Sequence, residues 1–201
     1  HHIWAIEDEE ELLLLQAEYA AYPNVRFVRK NSKQYLRAIT EAKYLINNTS
    51  FSSYFAKKPG QVFIDTWHSI TVKTLGFDVP DGRISSGNML RNLLMADYIL
   101  SANRFTTKVF RESYKLDGLY EGMILETGHP RNDLVVGSAR ETVLRKLAAR
   151  GVSVDPNKKI ILYAPTWRGT SFSNPTVDID KYTSFVETVM RRIDTAQYQI
   201  L

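Results

Sequence analysis

Cysteine is missing from all 201 residues, so disulfide frameworks, thiolate metal sites and cysteine nucleophiles are excluded, while a reducing compartment is permitted. Long apolar runs are missing as well. The longest, such as Leu12 to Leu15, fall far short of the roughly 20 residues a membrane span needs, and no segment is expected to cross a bilayer. The chain opens on His1, His2 and then an acidic cluster, not on the basic stretch and apolar run of a secretory signal, and it reads as cytoplasmic. Neither a G-x-G-x-x-G nor a P-loop pattern occurs, which argues against dinucleotide oxidoreductases and P-loop ATPases. With no His-x-x-x-His pair and no carboxylates clustered beside a histidine, chemistry that needs no metal is expected, and no cofactor is implied.

What is present is ordinary globular material, 44% hydrophobic and 24% charged, unlike disordered, collagen-like or coiled-coil chains. The formal charge of +4 is unevenly spread. Glu7, Asp8, Glu9, Glu10 and Glu11 stand together, whereas Arg26, Arg29, Lys30, Lys33, Arg37, Lys43, Lys57 and Lys58 face only Glu41 within their own stretch. That basic stretch reads either as a solvated face or as a surface for anions such as lipid head groups or a phosphate polymer. Nucleic acid is a poor partner for it, because no reader such as interleaved RNP aromatics is present.

Short β-type runs alternate with helical patterns along the chain. Strands are expected at Ile3–Ile6, Val25–Val28, Tyr44–Ile46, Gln61–Asp65, Tyr98–Leu100 and Met123–Glu126, and helices over Glu9–Ala20, Ser32–Ala42, Met89–Ala96 and Thr106–Tyr114. The implied class is α/β, a mostly parallel sheet with helices on both faces. An amphipathic pattern then runs from Asp133 to about Arg150, with Gly151 as its stop. After a connector, Ile160–Tyr163, Lys181–Ile193 and Tyr198–Leu201 read as strand, helix and strand of a second unit, which divides the chain into residues 1–152 and 153–201. Two strands and one helix cannot bury both faces of a sheet, so the chain is expected to be a piece of a longer polypeptide. His1 and His2 read equally as a tag remnant or as native residues.

Three stretches could carry chemistry. His68, in Thr66-Trp67-His68-Ser69, follows a strand at the carboxyl end where open α/β sheets place their ligands. A neutral imidazole there can take a proton from a hydroxyl, or it can be a structural histidine that caps a turn. Gly128-His129-Pro130-Arg131-Asn132-Asp133 also follows a strand, and Arg131 suits either a phosphate or a neighbouring carboxylate. In Tyr163-Ala164-Pro165-Thr166-Trp167-Arg168-Gly169, Thr166 and Arg168 are placed where a strand-to-helix turn would meet anionic oxygens.

Taken together, these stretches resemble the CDP-glycerol glycerophosphotransferase family, which includes teichoic acid primases and polymerases. The resemblance also takes in Tyr44-Leu45-Ile46-Asn47-Asn48, Gln61-Val62-Phe63-Ile64-Asp65 and Lys73-Thr74-Leu75-Gly76, and it covers nearly the whole chain. It implies a GT-B fold, here a Rossmann-like acceptor domain lacking its first strand and helix, plus the start of a Rossmann-like donor-binding domain. It implies an enzyme that moves glycerol phosphate from CDP-glycerol to a lipid-linked or polymeric acceptor and releases CMP, peripheral on the inner face of the cell membrane and in contact with its anionic surface. By the same resemblance His68 is the catalytic base, and Trp67, Lys73, Arg131, Thr166 and Arg168 are candidates to bind substrate, since metal-free phosphoryl transfer needs cations and donors on the pyrophosphate. The chain departs from the family pattern at Ser69 and Thr71, where glycine and proline are usual, and His129 is not counted as a second base. Alternatives are a CDP-ribitol-dependent transferase, a GT-B nucleotide-sugar glycosyltransferase and a non-catalytic module that binds anionic membranes.

Overall fold

The first strand, β1 (His2–Ile6), is followed by helix α1 (Glu9–Glu18) and by β2 (Val25–Arg29), which pairs with β1 in parallel. The computed structural model describes residues 1–137, 140–165, 168–171, 174–176 and 178–201, in two units, His1–Asp133 and Leu134–Leu201. Asp8 starts α1 by accepting the Glu11 N–H at 2.8 Å, and Glu9, Glu10 and Glu11 fill the first turn, where carboxylates meet the positive end of the helix dipole.

The acidic cluster also corrects the reading of the basic stretch. Parallel pairing brings the ends of β1 and β2 side by side, so Glu7 meets Lys30 at 3.0 Å and Glu9 meets Arg29. Arg37 pairs with Glu41 one helical turn away, and Lys57 pairs with Asp97 at 2.6 Å. Four of the eight cations between Arg26 and Lys58 are therefore neutralised within the chain.

Helix α2 (Lys33–Glu41) is capped by Ser32 and buries Tyr35 and Ile39, four residues apart on one face. Next come β3 (Tyr44–Asn47), β4 (Val62–Asp65), the short helix α3 (Gly82–Ser85), α4 (Gly87–Met95), β5 (Tyr98–Leu100), α5 (Arg104–Ser113) and β6 (Met123–Leu125). The four strands form one parallel sheet in sequence order, β3-β4-β5-β6. Its register sets Leu45 beside Phe63, Asp65 beside Ile99 and Ile99 beside Ile124, so these residues share a face. Leu93 of α4 and Phe110 of α5 pack into the same cluster as Phe63 and Ile99, and all four are fully buried. Each such side chain contributes about 1.5–3 kcal/mol of burial.

The helices expected on both faces of the sheet lie on one face of β3-β6. Consecutive right-handed crossovers that step in a single direction leave their helices on the same side. Tyr44, Ile46, Tyr98 and Met123 on the opposite face are exposed.

After the Trp-His stretch the chain crosses α5 at Gly76. This glycine sits at φ +59, and a β-carbon there would run into the Ser113 carbonyl oxygen, so no other residue fits without strain.

In the second unit, the amphipathic pattern after Asp133 is seen as α6 (Asp133–Gly137) and α7 (Arg140–Ala148), and Gly151 follows at φ +78. Strand β7 (Lys159–Ile161) leads to an antiparallel ribbon of β8 (Arg168–Ser171) and β9 (Asn174–Thr176), where a turn directly into a helix was expected. Pro175 lacks the N–H a helix interior needs and biases Asn174 towards extended backbone. Helix α8 (Ile179–Met190) begins only after Asp178, whose carboxylate caps the Lys181 N–H at 3.0 Å. Strand β10 (Tyr198–Ile200) then pairs with β7 in parallel. Among the described residues no helix is long and apolar enough to cross a membrane.

Candidate active site at the carboxyl ends of the strands

The site is built where β4 runs out. Its last residue, Asp65, points to the buried face, and its Oδ1 accepts the Trp67 N–H at 2.8 Å, a local turn of the Asx kind. Trp67 adopts φ +50, the left-handed region that bulky residues avoid. Beyond this turn successive side chains diverge. The indole of Trp67 is buried and meets the rings of Phe110 and Tyr114 edge-on, at 5.1 and 6.3 Å, while His68 emerges into solvent. The imidazole then lies on the indole with ring centres 4.7 Å apart and planes 28° apart.

The protonation pattern of His68 follows from a hydrogen bond of its ring. Nδ1 is 2.7 Å from the carbonyl oxygen of Asn48, at the end of the neighbouring strand. A carbonyl only accepts, so Nδ1 carries a hydrogen, and in the neutral ring the lone pair is on Nε2. The Asn48 carbonyl is held in turn: Thr66 N–H donates to Asn47 O at 2.8 Å, and Asn47 Oδ1 accepts Thr49 N–H at 3.1 Å. Helix α4 anchors the next residues, since buried Asn92 accepts Phe51 N–H at 2.8 Å and donates to Phe51 O at 3.1 Å.

Arg131 reaches the same place from β6. The stretch Gly128-His129-Pro130 turns after the strand, and the Arg131 guanidinium donates to the His68 carbonyl oxygen. His129 is itself buried, and its Nε2 has no hydrogen-bond partner among the described residues. The structure thus brings Trp67, His68 and Arg131 together at the ends of β4 and β6. Trp67 serves the imidazole with its ring face from inside the protein. Lys73 is exposed in the following loop. Arg168 opens β8 in the second unit; its side chain, and Thr166 entirely, lie outside the described residues.

Two groups behind the imidazole are displaced from their ordinary ionisation. Burial pushes the Asp65 carboxyl up to about 7, against the opposing pull of the Trp67 N–H. Burial, and then the nearness of Asp65, push Tyr114 up to about 12. A cavity of about 430 Å³ lined by Lys57, Asp97, Tyr98, Glu121 and Met123 opens at the opposite, amino-terminal ends of β5 and β6, away from this chemistry.

Asn48 and Asp65 are not among the site residues expected from the sequence. A backbone carbonyl carries no residue identity, so only the fold reveals Asn48. Asp65 did leave a signal: it occupies the inward position of the run Val62-Phe63-Ile64-Asp65, where an apolar residue is the rule.

The chain is similar to known proteins along most of its length. The family model described as CDP-glycerol:poly(glycerophosphate) glycerophosphotransferase matches residues 1–193. A teichoic acid poly(glycerol phosphate) polymerase of Staphylococcus epidermidis is 34% identical over 152 residues, covering 72% of this chain and 21% of the polymerase. One from Bacillus spizizenii is 28% identical over 177 residues, covering 85% of this chain and 42% of its own. A solved structure of the wall teichoic acid polymerase TagF, a variant soaked with CDPG, superimposes with a TM-score of 0.68 at 27% identity, covering 98% of this chain and 47% of that one. The chain therefore spans less than half the length of each of these relatives. The expected α/β fold with parallel sheets, of GT-B type, is the fold observed.

Proposed function

The chain belongs to the CDP-glycerol:poly(glycerophosphate) glycerophosphotransferase family, and from that premise we propose that it carries the acceptor-activating site of a transferase that uses CDP-glycerol. The observation behind this reading is the setting of His68: exposed, stacked on Trp67, with its Nδ1–H committed to Asn48, which in the neutral ring leaves Nε2, without a hydrogen-bond partner among the described residues, to accept a proton. In the reaction, Nε2 takes the proton of an acceptor hydroxyl and the alkoxide oxygen attacks the β-phosphorus of CDP-glycerol. The new P–O bond forms as the bond to the bridging oxygen breaks, and CMP leaves with that electron pair. General-base assistance of this kind is worth about 10²–10⁴-fold.

The pyrophosphate charge that builds up has to be met by cations and donors. We assign Arg131 and Lys73 to that task, with Thr166 and Arg168 on the donor side. The polymerase relatives, named for poly(glycerol phosphate), support glycerol over ribitol as the transferred polyol. A lipid-linked or polyol-phosphate acceptor would bring the site to the inner face of the cell membrane as a peripheral protein. The neutralised half of the basic stretch gives that membrane contact less support than the charge pattern alone did.

The test supplies the complete polypeptide containing these residues with a glycerol-phosphate-primed acceptor and, separately, CDP-glycerol, CDP-ribitol or a nucleotide sugar. CMP release and chain growth with CDP-glycerol is the expected result. Turnover of CDP-ribitol or of a nucleotide sugar alone would replace this reading with one of its alternatives, and salt-sensitive vesicle binding without any turnover would replace it with a membrane-binding module.

A further inference from the structure

Asp65 is the one carboxylate on the inner face of the β3-β6 sheet, with Asn47 and Ile99 as its register neighbours. It is fully buried; Oδ1 has the Trp67 N–H as a partner, and Oδ2 has none among the described residues. No Lys or Arg comes within ion-pair distance of it among those residues. The titratable groups that feel its charge are Tyr114, just after α5, and Tyr120 ahead of β6, and burial raises both phenols, so neither brings a charge at neutral pH. A carboxylate buried without a cation is far costlier than a neutral acid at the same place. The neutral acid still offers the oxygen that the Trp67 N–H requires.

We propose that Asp65, as the neutral acid, is a positioning residue for His68, holding the left-handed turn at Trp67 from which the imidazole reaches the Asn48 carbonyl. The proposal rests on the reading of His68 as the base. Trp67 stands in a backbone region unfavourable to an aromatic residue, and the Asp65 hydrogen bond is a specific contact that holds it there. Released, the turn relaxes towards extended backbone. The indole then leaves its seat against Phe110 and Tyr114, and His68 loses both the ring beneath it and its bond to Asn48. Ionisation of Asp65 strengthens its bond to the Trp67 N–H but leaves a buried charge without a cation, and the larger cost of burying that charge favours opening the same turn to water. Asparagine reproduces the shape, the acceptor oxygen and the neutrality at every pH.

The test follows the Nδ1 and Nε2 chemical shifts of His68 in ¹⁵N-histidine-labelled wild type, Asp65→Asn and Asp65→Ala chains between about pH 6 and about pH 9. At the acid end of this range the neutral imidazole fraction of the wild type and of Asp65→Asn should be one tautomer, with hydrogen on Nδ1, and that of Asp65→Ala the mixed tautomers of a free imidazole. As pH rises the wild type should drift towards the Asp65→Ala pattern while Asp65→Asn stays fixed. An Asp65→Ala chain that keeps the wild-type tautomer, or an Asp65→Asn chain that loses it, overturns the proposal. Should Asp65→Ala not fold, the Asp65→Asn series decides alone: a fixed tautomer supports the proposal and a drift parallel to wild type refutes it. Lack of CMP release in the complete polypeptide would sink the transferase reading and leave these chemical shifts unchanged, so the two failures are distinguishable.

Discussion

Replacing Asp65 with asparagine should stabilise the folded chain in alkali and do much less in acid. The carboxyl moves from 3.8 to about 7 on folding, chiefly through burial. A folded-state value above the unfolded one means that the native protein holds the proton more tightly, so the group's contribution is intact below the unfolded value. It is lost as pH climbs through the folded value. Every tenfold gain in proton affinity on folding corresponds to about 1.4 kcal/mol, which makes the full loss about 4 kcal/mol, a large share of the roughly 5–15 kcal/mol that holds a typical domain together. Asparagine keeps the bond to the Trp67 N–H and has no proton to lose. Urea titrations of both chains at about pH 4.5 and about pH 8 isolate the effect, because every other ionisable group cancels in the difference. The advantage of the Asp65→Asn chain should grow by about 3 kcal/mol between the two conditions. Equal pH dependence in the two chains, or a wild type that gains on the variant with rising pH, would refute the picture of a buried, unpaired acid.

Three further outcomes are expected. Asn92→Ala leaves both the N–H and the carbonyl of Phe51 without their buried partner and should cost about 1–3 kcal/mol in urea unfolding. Gly76→Ala should cost at least about 1–3 kcal/mol, read as a lower Tm, because the left-handed backbone and the Ser113 carbonyl both oppose a β-carbon. Asp97 is desolvated, which alone would raise its pKa, but hydrogen bonds from Lys57 and the Phe63 N–H outweigh this and lower it, so its contribution is lost as pH falls through its depressed value. Asp97→Asn should therefore cost on the order of 1 kcal/mol at neutral pH, with solvent screening part of the pair, and less in strong acid.

Element positions were largely legible because they depend on local chemistry. The strand ending at Asp65 and the acidic start of α1 each follow from residues a few positions apart. Features set by partners distant in the chain were not. The ion pairs of Glu7 and Glu9 with Lys30 and Arg29 require the parallel register of β1 and β2, and the single helical face of the sheet requires its strand order. The site shows the same divide. His68 and Arg131 stood out by residue type and by their place after strands, and the fold joins them through a guanidinium bonded to a carbonyl. The Asn48 carbonyl that fixes the imidazole and the acid beneath Trp67 owe their roles to geometry. The ribbon of β8 and β9 was hidden because its pairing depends on a return of the chain that no apolar periodicity announces.

In the proposed reaction Nε2 of His68 removes the acceptor proton. The most direct measurement is the single-turnover rate of glycerol phosphate transfer from CDP-glycerol by the complete polypeptide with His68→Ala, together with its CDP-glycerol Kd. The rate should fall about 10²–10⁴-fold while the Kd stays within a few-fold of wild type. A variant that transfers at the wild-type rate, or one whose loss lies wholly in donor affinity, would contradict it.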